Sequence, residues 1–70
     1  MNSFDLPLPG GIYRHKRTGK RYLVEGSLRI KIHGEWIEHG VTVYLNEKTR
    51  DTYARLTPEF IESFEFVEES

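Results

Sequence analysis

Short runs of strand-forming residues separated by turn signals recur along this chain, and where apolar and polar positions alternate the period is that of a half-buried strand and not of a helix. Ile12 to His15 and Tyr22 to Val24 flank the polar run Lys16-Arg17-Thr18-Gly19-Lys20-Arg21, in which Gly19 can take positive φ without steric cost. Residues 11–24 therefore predict a first hairpin, and the chain reads as organised around it. Beyond Gly26, Leu28, Ile30 and Ile32 alternate with Arg29 and Lys31. Tyr22 to Ile32 thus predicts one strand sharply bent at Gly26-Ser27, its two halves serving two sheets. His33-Gly34-Glu35 and His39-Gly40 predict turns, with Trp36-Ile37 between them as a short strand piece or buried anchor. Val41 to Leu45 is rich in β-branched and aromatic residues and predicts a strand, with Thr52 to Leu56 as its hairpin partner across the polar stretch Asn46 to Asp51.

The period changes at Thr57-Pro58-Glu59. Threonine is a favoured N-cap, proline suits the first helical position, and glutamate suits the positive end of the helix dipole. Phe60, Ile61 and Phe64 then give one apolar face over a turn or two. Two continuations stay open: a last short strand over Phe64 to Val67, or one helix from Pro58 to about Phe66. At the other end, residues 1–10 read as a flexible arm, because Pro7 and Pro9 lack backbone donors; Phe4, Leu6 and Leu8 alternate with Asp5 and Pro7, so the arm can lie extended along the domain. Short strands with turn signals roughly every 8–12 residues and one helical turn predict an all-β domain over residues 11–68, a small, strongly bent antiparallel β-barrel, closed or nearly so.

Composition adds bounds. Seventy residues make a single core. A chain of this size buries only about 60% of the surface its unfolded form exposes, so its stability is expected to be marginal. With no cysteine, neither a disulfide nor a thiolate metal site can staple the fold, a composition that suits a reducing cytoplasm. The four Phe, four Tyr and one Trp become the main supply of buried area. No apolar run approaches the ~20 residues of a membrane-spanning helix, and the N-terminus lacks the regions of a signal peptide, so the chain reads as soluble, cytoplasmic and without a membrane partner.

Net charge is −1, but its distribution is lopsided. Arg14 to Lys31 holds Arg14, Lys16, Arg17, Lys20, Arg21, Arg29 and Lys31 against Glu25 alone, whereas Leu56 to Ser70 holds Glu59, Glu62, Glu65, Glu68 and Glu69 and no cation. Such asymmetry marks either a nucleic-acid partner or two segments that lie side by side.

The spacing Gly11-x-Tyr13-Arg14-His15-x-x-x-Gly19-x-x-Tyr22-x-Val24 resembles the opening of a family of short bacterial and phage proteins known as a domain of unknown function, which typically reads G-x-Y-R-H-Y-K-G-x-x-Y-x-V. Val43-Tyr44 is similar to its V-V-Y strand, and Arg55 and Phe60 to its R-P-L-x-x-F segment. The resemblance covers roughly residues 11–60. Here the hairpin turn carries one extra residue, Leu56 stands where the family has proline, and Arg29 to His39 has no counterpart. The resemblance implies an SH3-like fold and no assigned activity.

Candidate chemistry is sparse. His33 and His39 with Glu35 or Glu38 do not have a recognised zinc-ligand spacing, so metal and cofactor are not expected, and His15 reads as a histidine bonded within the sheet. Ser27, Ser63 and the threonines have no base that the sequence brings close, and a small barrel fills its interior with side chains, so catalysis is not expected either. Two binding surfaces remain. Arg14, Lys16, Arg17, Lys20 and Arg21, interleaved with Tyr13 and Tyr22, suit phosphates and unpaired bases. Tyr13, Tyr22, Trp36, Tyr44 and Tyr53, with the neighbouring arginines, are residue types found at protein–protein hot spots, and His15 joins them as a candidate on the same strand face as Tyr13. A protein partner is favoured over nucleic acid, with the molecule a monomer or a dimer formed by strand pairing.

Overall fold

Gly19 turns the chain back on itself at a φ of 78°, and a run of antiparallel strands begins with that turn. The computed structural model describes residues 6–70. Strand β1 (Gly11–His15) leads to β2 (Arg21–Ile32), β3 (Glu35–Asn46) and β4 (Thr52–Leu56); a helix α1 (Thr57–Ser63) follows, and β5 (Phe64–Glu69) ends the fold. All five strands form one antiparallel sheet in the order β4-β3-β2-β1-β5. β5 returns to pair with β1, placing Arg14 opposite Glu65 and Tyr13 opposite Phe66. The domain is thus all-β with one short helix. Its sheet curls without closing: β4 and β5 are its two edges, joined in sequence by α1.

The register of β2 against β3 shifts between Val24 and Gly26, which bends the long strand where the glycine predicts it. Both halves nevertheless stay in the one sheet, correcting the expectation of two. A second shift, between Leu28 and Ile30, absorbs His39 and Gly40. The sequence reads His39-Gly40 as a turn, but His39 takes a φ of 56° within β3 and the strand runs on to Glu35, so the feature is a bulge. Gly40 is required there. A Cβ on it would meet Ile30 Cγ1 at 2.7 Å and the Ile37 carbonyl at 3.3 Å.

Cross-strand partners share a face, so the pairs Tyr13–Tyr22 and Val24–Tyr44 line one side of the sheet. Phe60 and Phe64 of α1 and the start of β5 fill that concave side, stacked at 4.1 Å with 7° between their planes. Val24, Tyr44, Phe60 and Phe64 form the core, and Tyr13 and Tyr22 pack against it. Phe60 is fully buried and touches Tyr13 and Tyr44 at centroid distances of 5.4 and 5.0 Å. The helix stops after Ser63 because Phe64 is already extended, which settles its length.

Thr57 does not cap this helix. It opens α1 with no side-chain capping bond, Leu56 stands at the N-cap, and Pro58 sits in the first turn as expected. The Thr57 hydroxyl instead bonds that of Thr42 on β3 at 2.9 Å, both buried. Of the arm, Met1 to Asp5 lies outside the described residues. The Leu8 amide donates to the Tyr13 hydroxyl at 2.8 Å and the Gly10 amide to the Val24 carbonyl at 2.8 Å, so residues 8–10 are tied to the sheet. Among the described residues no helix is long and apolar enough to cross a membrane.

Candidate functional site

The candidate residues divide by the sheet into three groups. The tyrosines of the first are structural in position. Tyr44 is buried, receives the Arg55 Nε–H on its hydroxyl at 2.8 Å, and has its pKa raised by burial, which Arg55 partly opposes. Tyr22 meets Tyr44 and Phe64 edge-on at 5.4 Å each. Tyr13 meets Phe60 and Phe66 in the same way. His15 lies edge-on to Phe64 at 4.9 Å, and its pKa is lowered by burial, then by the nearby charges of Arg55 and Arg17. Only Tyr53, 43% exposed, presents a ring at the rim, in contact with Tyr44.

The second group is the basic hairpin. Arg14 and Arg21 are direct cross-strand partners, an arrangement that repels unless the charges are answered. Glu65 pairs with Arg14, and Glu68 and Glu47 hold Arg21 at 2.9 and 3.0 Å. The acidic strand β5 therefore neutralises the strands of the hairpin. Glu68 stands opposite Ile12 in the register and reaches Arg21 diagonally. Lys16, Arg17 and Lys20 at the tip have no carboxylate partner among the described residues.

Trp36 belongs to the third group, which the sequence only half reveals. β1 pairs with β2 only over Arg21–Leu23, and β4 with β3 only over Val41–Leu45. From Gly26 to Ile32 and from Glu35 to Gly40 the two long strands have only each other, so the hairpin projects past its neighbours. Trp36, expected buried if an anchor, is 59% exposed for that reason. Arg29 and Lys31 stand over its ring at 5.8 and 5.6 Å, and Glu38 pairs with Arg29 at 3.4 Å. The opposite face forms an open apolar groove lined by Ile30, Ile32, Ile37, Leu56, Pro58 and Leu6.

The projecting hairpin also brings Ser27 Oγ to 2.6 Å from His39 Nδ1, a contact across two strands that the sequence does not show. The pair is exposed, and no carboxylate bonds the other nitrogen of His39 among the described residues. No group of three or more metal-ligating side chains gathers anywhere among the described residues. Comparison with protein-family models, curated proteins and solved structures finds no match for this chain. The fold and its surfaces define it as a small antiparallel β domain with an overlong, partly apolar hairpin.

Proposed function

We propose that this protein is a non-catalytic, SH3-like binding module that engages another protein, in the cytoplasm, through the projecting half of the β2–β3 hairpin. The observation that carries the reading is Trp36, 59% exposed between Arg29 and Lys31 on strands whose outer edges are unpaired. Tryptophan and arginine dominate interface energetics once a partner excludes water from them. A free strand edge offers main-chain donors and acceptors to an extended segment, and adjacent pockets sort its side chains. Arg29 and Lys31 beside the indole suit a segment that alternates aliphatic and acidic residues. Tyr13, Tyr22 and Tyr44 are committed to the core and contribute by holding the sheet, and Tyr53 stands at the rim away from this hairpin.

The test is capture of a partner from a lysate of the cell that makes the protein, followed by the same capture with Trp36→Ala and Lys31→Glu. Both variants are expected to lose the partner while Lys16→Ala keeps it. Undiminished capture by folded Trp36→Ala would overturn the reading.

A further inference from the structure

We infer that the end of the sheet opposite the projecting hairpin is a second, separate docking surface, which takes the phosphate backbone of a nucleic acid. Two turns build it, β1–β2 over residues 16–20 and β3–β4 over residues 47–51. Register puts Tyr22 opposite Asn46, and one residue further the Glu47 amide donates to the Arg21 carbonyl at 3.1 Å. The turns therefore lie side by side, and Thr18 to Arg21 and Asn46 to Thr49 line one open groove between them. Lys48 and Arg50, far from the basic hairpin in sequence, join Lys16, Arg17 and Lys20 at this end of the molecule.

None of these five has a carboxylate partner among the described residues. Against these five cations, Glu47 is held by Arg21, while Asp51, which accepts the Thr49 hydroxyl at 3.2 Å, and Glu62, next to the Ser63 whose carbonyl takes the Lys16 amide, keep their charge. In a chain of net charge −1 this leaves a local excess of positive charge, matched to a polyanion.

The turns are also held in place. The Gly19 amide donates to the His15 carbonyl and the Arg50 amide to the Asn46 carbonyl, each at 2.8 Å. Asn46 Oδ1 accepts the amides of Lys48 and Thr49 at 2.8 and 2.9 Å. Little backbone ordering is left to oppose binding. Lysine, arginine and threonine side chains around a groove are the usual set for contacts to phosphate. A bilayer fits poorly, because no large exposed apolar side chain comes from either turn. The contacts proposed are to the phosphate backbone, which carries no sequence information.

The test is fluorescence anisotropy with a labelled mixed-sequence single strand of about 20 nucleotides over a salt series, each protein checked for native circular dichroism. Log affinity is expected to fall linearly with log salt, with a slope of about −0.7 for each phosphate neutralised. Lys20→Ala and Lys48→Ala should each make the slope shallower by about 0.7, Lys48→Arg should restore it, and Lys31→Ala at the far end should leave it unchanged. Three results would overturn the inference: no binding at low salt, a slope indifferent to Lys20 and Lys48, or equal affinity for polyglutamate or for anionic lipid vesicles. Partner capture through Trp36 is read separately, so either surface can fail without the other.

Discussion

Thr42 on β3 and Thr57 at the start of α1 bond to each other through hydroxyls 2.9 Å apart, at a site where neither is reached by water. Each is the other's partner, so the pair acts as one unit tying the helix to the sheet. Thr42→Val should leave the Thr57 hydroxyl buried and unpaired, at a cost of about 1–3 kcal/mol. The double variant Thr42→Val, Thr57→Val should recover much of that loss, because no orphan remains. Urea denaturation of the two single variants and the double gives the coupling; strict additivity would show that the bond is not what matters there.

Phe60 is the centre of the core by burial and by contact. Phe60→Ala is expected to cost about 3–5 kcal/mol, which in a domain this small approaches the whole stability. Circular dichroism should show a largely unfolded chain at room temperature, whereas Phe60→Leu should stay folded with a lower urea midpoint.

The close approach of Gly40 to Ile30 predicts a pair effect of the opposite kind. Gly40→Ala should destabilise by about 1–3 kcal/mol, because the new methyl meets Ile30 Cγ1 at 2.7 Å. Ile30→Ala in the same chain should make the added methyl nearly harmless. If Gly40→Ala costs the same in both backgrounds, the strain lies against the Ile37 carbonyl instead.

His15 makes stability depend on pH. Burial and the charges of Arg55 and Arg17 lower its pKa from 6.5, so the folded protein binds its proton less readily than the unfolded chain. The stabilisation is therefore fully present above about pH 6.5 and is lost as pH falls below it through the lowered folded value. Urea midpoints measured at about pH 7.5 and 5.5 should show a drop at the lower pH that His15→Gln reduces. An identical drop in the variant would assign the effect to other groups.

Trp36→Ala, by contrast, should shift stability by no more than about 0.5 kcal/mol, since the side chain is mostly in solvent. A large loss on thermal unfolding would mean that the indole supports the hairpin itself.

The elements that declare themselves in sequence are those whose local chemistry and tertiary role agree. Gly19 marks a real turn, Gly26 a real bend, and the alternation of Leu28, Ile30 and Ile32 a real strand. Misreadings occur where a long-range contact overrides a local signal. Thr57 has the chemistry of a cap, but Thr42 claims its hydroxyl. His39-Gly40 has the chemistry of a turn, but pairing across to Ile30 and Leu28 turns it into a bulge. Of the two readings of Trp36-Ile37, the strand piece holds and the buried anchor does not, because neither β1 nor β4 extends far enough to cover Trp36. The joining of Lys48 and Arg50 to the basic tip depends on the register of β2 against β3, which no local pattern encodes.

The pairing of β1 with β5 has a consequence for how the molecule is made. Residues 11–15 pair with residues 64–69, so the sheet is completed only after residues 64–69 have left the ribosome. Until then Arg14 lacks Glu65 and Arg21 lacks Glu68. Residues 11–63 are thus a more cationic object than the finished domain, and the arrival of the last strand neutralises Arg14 and adds a second carboxylate to Glu47 at Arg21.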